Sequence, residues 1–221
     1  MTDFDTYARS YEAIHAENVA GSGEPPSYFA AYKQQVLERM LGRDLDRAVL
    51  DFGCGIGTLT ALLSRSFREV DGYDTSAESL SVARTRAPGA RFFERVEAIP
   101  REHYGAVVLA NVLHHVPPAD RPALLRTAAE MVARGGRVIV FEHNALNPIT
   151  RRAVSACPFD DGASLLYAWE VRRLLRGAGL SAVALDFIVF FPRILRAARR
   201  LEPFLSWLPL GAQVCAWGTK K

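Results

Sequence analysis

The stretch Val49-Leu50-Asp51-Phe52-Gly53-Cys54-Gly55-Ile56-Gly57-Thr58-Leu59-Thr60 decides the fold of this chain. An apolar strand leads into a turn with three glycines in five residues, and a helix follows directly. Such a turn allows backbone N–H groups and the helix N-terminus to approach a ligand closely. The stretch therefore predicts a ligand site at the end of the first strand, and a plain strand-to-helix turn is the simpler alternative.

Two classes of ligand bind at turns of this kind. The dinucleotide fingerprint Gly-x-Gly-x-x-Gly requires a glycine where this chain has Thr58, because its third glycine, Gly57, comes one residue early. Asp51 lies two residues before the first glycine, and an anion there suits a cationic group better than a pyrophosphate. The pattern therefore disfavours a nicotinamide dinucleotide.

Strands and helices alternate along the chain, which predicts an α/β fold with a parallel sheet covered on both faces. The 221 residues are 49% apolar and 23% charged, which suits a single domain with a substantial core. Strands are predicted over residues 48–52, 69–73, 91–93, 106–113, 137–141, 180–191 and 212–218, and helices over 27–41, 58–65, 77–86, 121–133 and 170–177.

The net charge, the cysteines and the N-terminal sequence disfavour several classes of protein. The net charge of +3 is too weak to imply a nucleic-acid partner. Cys54, Cys157 and Cys215 lie far apart without metal-ligand spacing, so we predict no disulfide framework and no metal site. The start lacks the basic and apolar regions of a secretory signal, and the most apolar stretch, 182–191, is too short to span a bilayer. These features predict a cytoplasmic protein without stable membrane insertion.

A second acid lies where a nucleoside would need it. Asp74 ends the second predicted strand, and in folds of this type an acid there binds the two ribose hydroxyls. The alternative role is a cap for the following helix. Both roles are compatible, because Thr75 or Ser76 can cap the helix while Asp74 faces the crevice.

With these motifs in this order, the chain resembles the class I S-adenosylmethionine-dependent methyltransferases. The resemblance rests on residues 49–60, on Asp74, on the run Ala110-Asn111-Val112-Leu113-His114-His115-Val116-Pro117 and on residues 135–140. It implies a Rossmann-like seven-stranded sheet, mostly parallel, with helices on both faces and an antiparallel final strand. It also implies S-adenosylmethionine as cofactor and S-adenosylhomocysteine as product.

The resemblance assigns the cofactor contacts. By this resemblance, Asp51, Gly53 and Gly55 surround the methionine portion of the cofactor. Asp74 binds the ribose, and Asn111 and Val112 line the crevice near the sulfonium. Arg95 departs from the family pattern, since an acid that reaches adenine is usual there, so the Val96 backbone is the expected adenine contact. The full expected set is Tyr11, Asp51, Gly53, Cys54, Gly55, Asp74, Thr75, Val96, Asn111 and Val112.

Histidines are the candidate catalytic residues, because an unperturbed imidazole titrates near neutral pH. His114 and His115 follow the fourth long strand, although His115 could equally pack into the domain. His143 belongs to a Glu142-His143-Asn144 run after the fifth strand, which looks like the Glu-His-Asn-Pro segment of a subgroup of small-molecule methyltransferases, with Ala145 in place of the proline. His143 is the favoured base.

Acceptor contact is expected from the second half of the chain, through Asn144, Arg151 and Trp207. Residues 144–161 are interpreted as one extended loop, in which Asp160 or Asp161 contacts the acceptor or caps a turn. Residues 192–211 are far longer than a hairpin loop needs. Their helical pattern, with Ile194, Leu195, Ala198 and Leu201 on one face, fits a pocket wall, a dimer contact or a membrane-surface helix, and we favour the pocket wall.

These observations predict a methyltransferase that acts on an oxygen or nitrogen of a small molecule, of natural-product or lipid- or saccharide-type. The alternatives are a tRNA or protein methyltransferase, disfavoured because no Asn-Pro-Pro-Tyr-type motif is present, and a non-catalytic cofactor-binding protein. A homodimer is possible. The single domain divides into an N-terminal helical lid (1–44), a cofactor-binding core (45–145) and an acceptor side (146–221).

Overall fold

The computed structural model describes residues 11–42 and 47–221, apart from the side chains of residues 11–13. Within these residues one seven-stranded sheet organises the chain. Its strands are β1 (Val49–Phe52), β2 (Val70–Tyr73), β3 (Arg91–Phe93), β4 (Tyr104–Ala110), β5 (Val132–His143), β6 (Ser181–Ile188) and β7 (Gln213–Thr219).

The strand order β3-β2-β1-β4-β5-β7-β6 confirms the predicted fold class. Strands β1 to β5 pair in parallel, whereas β7 runs antiparallel to both β5 and β6. Strand β1 lies between β2 and β4, so the chain adds strands first on one side of β1 and then on the other. In open α/β sheets such a switch point forms a crevice at the carboxyl ends of the strands, where ligands bind.

Helices cover the sheet and begin or end at recognisable residues. Gly42, at φ 73°, caps the C-terminus of the second helix. The Ser76 hydroxyl accepts the backbone N–H of Ser79 and caps the fourth helix, as predicted. The helices are α1 (Tyr11–Val19), α2 (Pro26–Leu41), α3 (Thr58–Leu63), α4 (Ala77–Arg86), α5 (Arg121–Met131), α6 (Pro148–Ala156), α7 (Ala168–Gly177) and α8 (Glu202–Leu205).

The core lies on both faces of the sheet. Successive strand residues point to opposite faces, so Leu50 and Val107 pack into one apolar cluster while their neighbours Val49 and Val108 pack into the other. Both clusters are closed to water, and the middle strands are therefore apolar throughout, as in parallel sheets generally. Every helix in the described ranges is too short or too polar to cross a membrane.

Two expectations for the second half of the chain are wrong. Residues 148–156 form helix α6 and not an extended loop, because the Asn147 side chain accepts the N–H groups of Ile149 and Thr150 and Pro148 occupies the first turn. Residues 193–201 form 3₁₀ turns with a break at Leu195 in place of one amphipathic helix. Ile194 is 90% exposed, so the predicted apolar face is not buried.

Candidate functional site

A cavity of about 790 Å³ opens at the carboxyl ends of β1, β2, β4 and β5. Ligand pockets usually measure about 300–1,000 Å³, so its size suits a cofactor together with a small second molecule. The sequence-predicted cofactor residues of the described chain all line it, while the Tyr11 side chain lies outside the described part. The lining residues in question are Asp51, Gly53, Cys54, Gly55, Asp74, Thr75, Val96, Asn111 and Val112.

The glycine turn after β1 holds a conformation that side chains disfavour. Gly53 and Gly55 have φ angles of 82° and 51°. A Cβ on Gly53 would lie 2.6 Å from Val112 Cγ2, so the turn packs directly against the segment after β4. A Cβ on Gly55 would meet nothing within 4 Å. The backbone at Gly55 therefore borders open space that a side chain would fill.

The Asp74 carboxylate is fixed at the edge of the same turn. It accepts the N–H of Gly55 at 2.7 Å through one oxygen and the N–H of Ser76 at 3.0 Å through the other. A carboxylate offers about four acceptor positions. Asp74 can therefore hold the turn in place and still face the cavity, where a ligand hydroxyl would meet it.

Opposite charges lie together at the floor of the cavity. Asp51 is buried and accepts the Thr60 hydroxyl at 2.7 Å, and burial raises the pKa of Asp51 to about 6. Lys33 of α2 is also buried, and burial lowers the pKa of its ammonium to about 8 against the attraction of Glu142 and Asp51. Lys33 was not predicted as a site residue, although the only other lysines of the sequence are Lys220 and Lys221.

Asn111 is strained and incompletely satisfied. Its φ is 60°, in the left-handed region that few non-glycine residues adopt, and its N–H donates to the Phe141 carbonyl at 2.8 Å. Its side-chain Oδ1 is buried without a hydrogen-bond partner among the described residues, and it lines the cavity. Strain and an unsatisfied acceptor of this kind are typical of a ligand site.

The three predicted catalytic histidines lie together at the other end of the cavity. His114 Nδ1 lies 2.6 Å from Glu142 Oε2, and the N–H of Leu113 donates to Glu142 Oε1 at 2.7 Å. Asp160 Oδ1 lies 3.5 Å from His114 Nε2 and 3.4 Å from His115 Nε2. The His143 ring contacts the His114 ring, with 5.0 Å between centroids.

Charge within this histidine cluster is unevenly distributed. Burial opposes a charged imidazole, yet the Glu142 and Asp160 carboxylates raise the pKa of His114 to about 9. Burial and the nearby His114 lower the pKa of His115 to about 4 and that of His143 to about 3. At neutral pH His115 and His143 are therefore uncharged and present a nitrogen lone pair.

The three residues expected to contact the acceptor lie outside the cavity lining. Asn144 is buried and donates to the carbonyls of Pro209 and Gly211, so it fixes the segment before β7. Arg151 borders a separate recess, and Trp207 is 73% exposed. The second half of the chain instead lines the cavity mainly with apolar side chains: Ile149, Val154, Phe159, Phe190 and Phe191. Asp160 also lines the cavity, whereas its neighbour Asp161 is exposed.

Comparison with known proteins gives a consistent picture. A family model described as "Methyltransferase domain" matches residues 27–185. The ubiquinone biosynthesis O-methyltransferase of Serratia proteamaculans is 36% identical over 111 residues, which are 47% of this chain and 45% of that protein. The counterpart in Yersinia pestis is 33% identical over the same length. The chain thus spans about half the length of the curated relatives it matches.

Solved structures share the fold at low sequence identity. A SAM-dependent methyltransferase of Thermotoga maritima, described as a possible histamine N-methyltransferase, has a TM-score of 0.71 and 17% identity, with 99% of this chain and 98% of that chain covered. A SAM-dependent methyltransferase of Archaeoglobus fulgidus has a TM-score of 0.68 and 14% identity, with 86% and 94% covered. Haemonchus contortus phosphoethanolamine N-methyltransferase 2, in complex with S-adenosylmethionine, has a TM-score of 0.64 and 17% identity, with 98% and 57% covered.

Proposed function

The chain belongs to the methyltransferase-domain family of class I S-adenosylmethionine-dependent methyltransferases, and from this premise we propose that it methylates an oxygen of a small molecule. The observation that carries the proposal is one cavity lined from two sides of the sheet, by residues after β1 and β2 and by residues at the ends of β4 and β5. The glycine turn with its two acids lies at one end, and the histidine cluster with its apolar wall lies at the other. The matched relatives named as O-methyltransferases favour oxygen over nitrogen.

The residues at the first end fit S-adenosylmethionine. Asp74 would accept the ribose hydroxyls, and the bare backbone at Gly55 leaves the room that the ligand needs. Asp51 and Lys33 supply a carboxylate and an ammonium to the same cavity and attract each other, and such a pair matches the amino and carboxylate groups of a methionine. Asn111 Oδ1 is an acceptor that lacks a donor among the described residues. When bound, the cofactor supplies an electrophilic methyl group on a sulfonium.

The residues at the second end would orient the acceptor. Phe159, Phe190 and Phe191 form an apolar wall that suits a ring or chain and excludes water. The His143 ring, at the end of β5, can accept a hydrogen bond from the acceptor hydroxyl and so direct an oxygen lone pair towards the cofactor end. Correct orientation is the main contribution that a protein makes to such a displacement.

Methyl-labelled S-adenosylmethionine tests the proposal directly. The protein is incubated with the labelled cofactor and, separately, with metabolite, RNA and protein fractions of a cell extract. We expect label in an organic-soluble or water-soluble metabolite. Label in RNA or protein would establish a macromolecular acceptor instead, and cofactor binding without any labelled product would establish a non-catalytic binding protein.

Replacement of His143 by alanine should lower kcat by about 10²-fold and leave cofactor affinity unchanged. A misplaced acceptor costs a rate factor of that order even when the cofactor is correctly bound. The measurement is steady-state kinetics together with calorimetric titration of the cofactor. His103→Ala is the matched control, because His103 lies at the amino end of β4, the opposite end of that strand from the cavity. Equal kcat values for both variants would remove His143 from the proposed mechanism.

We propose that helices α1 and α2, which belong to the predicted lid over residues 1–44, act as a lid on this cavity. His15, Asn18 and Val19 of α1 and Tyr28 and Phe29 of α2 line it, so bound cofactor would pack against both helices. Hydrogen exchange in α1 should therefore slow when S-adenosylmethionine is added. Helix α7 provides the internal control, since its residues are absent from the lining. Unchanged exchange in α1 at saturating cofactor would contradict the lid.

A further inference from the structure

We infer that His114, His115 and Asp160 form a binding site for a divalent transition-metal ion of the zinc or ferrous type. The site lies at the acceptor end of the cavity, and all three residues line that cavity. The inference deepens the proposed function and rests on it in one respect, because the open coordination positions would be taken by an oxygen of the acceptor.

The spacing of the donor atoms suits such an ion. A tetrahedral ion with bonds of about 2.0–2.2 Å holds its ligand atoms about 3.3–3.6 Å apart. Asp160 Oδ1 lies 3.5 Å from His114 Nε2 and 3.4 Å from His115 Nε2, which is too far for a good hydrogen bond and correct for two ligands of one ion. The three donor atoms all lie within 4.8 Å of one another.

A second carboxylate orients one of the ligands. His114 Nδ1 lies 2.6 Å from Glu142 Oε2, so the Nδ1–H donates to this carboxylate. His114 Nε2 then faces Asp160 Oδ1, and the space between the two atoms holds either the second proton of a charged imidazole or a metal ion that replaces that proton. Metal-bound histidines commonly donate their other ring N–H to a carboxylate in this way. Glu142 is itself fixed by the N–H of Leu113.

The charge of the site also calls for a cation. The side chains of Glu142 and Asp160 are 1% and 4% exposed, and neither has an ion pair with a lysine or arginine in the part of the chain that the structure describes. Buried carboxylates are costly without a compensating charge. Once an ion displaces the proton that His114 holds between the two acids, the carboxylates carry two negative charges, which a divalent ion balances. Two imidazoles and a carboxylate are a donor set of zinc and non-haem iron sites.

The ion would give the acceptor end a function that the histidines alone do not provide. Three protein ligands leave at least one position open to the cavity. A hydroxyl bound there is held in place, and the nearby positive charge favours its ionised form. The site is not visible as a sequence motif, because Asp160 is distant in the chain from the His114-His115 pair.

Metal binding to the full chain tests the inference without reference to activity. Protein freed of metal with a chelator is titrated with Co²⁺, followed by visible absorption, and with Zn²⁺, followed by calorimetry. We expect one ion per chain with the absorption bands of a low-coordinate site. Asp160→Asn and His115→Ala should each weaken binding by at least about 100-fold, and Glu142→Gln by about 10- to 100-fold.

Matched controls distinguish loss of a metal ligand from a general effect on the fold. His103→Ala removes a histidine far from the cavity and should bind Co²⁺ as the unaltered protein does. Near-ultraviolet circular dichroism verifies the fold of each variant, and Asp160→Asn keeps the size of the side chain. Absence of stoichiometric binding would overturn the inference and would indicate a protonated His114 between its two carboxylates. Methyl transfer by protein that binds no metal would overturn the metal site and leave the proposed function intact. Metal binding without any methyl transfer would support the metal site and contradict the proposed function.

Discussion

Replacement of Asp74 by alanine should weaken the binding of S-adenosylmethionine by at least about 100-fold. The variant loses the acceptor for the ribose hydroxyls, and hydrogen bonds to a charged group contribute about 1.5–3 kcal/mol each. It also frees the Gly55 N–H, which Asp74 accepts at 2.7 Å, so the glycine turn loses its support on this side. Calorimetric titration of the cofactor measures the change in Kd.

Glu78→Ala is the matched control for this prediction. Glu78 is an exposed acid in the first turn of α4, four residues beyond Asp74, and it does not line the cavity. The control removes one carboxylate, as Asp74→Ala does, but should leave Kd unchanged. If Asp74→Ala bound the cofactor as tightly as Glu78→Ala, the assignment of the ribose to Asp74 would be wrong.

Replacement of Gly55 by leucine should abolish measurable cofactor binding while the protein remains folded. A Cβ at Gly55 would meet nothing within 4 Å, so the leucine side chain starts in open space and extends into the cavity that Gly55 lines. It would then occupy space that the ligand needs beside the backbone. The φ of 51° adds a backbone strain of about 1–3 kcal/mol, which should lower Tm by several degrees.

Gly179→Leu separates the steric effect from the strain. Gly179 has a φ of 83°, also has no atom within 4 Å of its Cβ position, and lies between α7 and β6 away from the cavity lining. The Tm of this variant should fall by about as much as that of Gly55→Leu, while its affinity for the cofactor should be unchanged. Comparable losses of affinity in both variants would mean that reduced stability, and not a filled cavity, explains the result.

The cofactor end of the cavity could be predicted from sequence because its residues follow strand ends. Gly53, Asp74 and Asn111 come directly after β1, β2 and β4, and the carboxyl ends of parallel strands meet at one edge of a sheet. The local pattern also located the helix cap at Ser76. Short-range chemistry was sufficient at each of these positions.

The acceptor end was predicted less well. Helix α6 was missed although its signal is local, since asparagine followed by proline is a typical helix start. Asn144, Arg151 and Trp207 were assigned from the order of the chain, and the structure places each of them outside the cavity lining. The residues that do line this end come from separate segments, and no spacing in the sequence connects them.

The sequence by itself determined the fold class, the order of its strands and helices, and the residues after the strands that line the cavity. These depend on alternating apolar patterns and on glycine conformations, which act over a few residues. Only the tertiary structure decided that Lys33 is buried within the attraction of Asp51, and that Asp160 faces His114 and His115. Burial and contacts between distant segments depend on how α2 and residues 158–160 pack against the sheet, and charge balance in the cavity arises only from that packing.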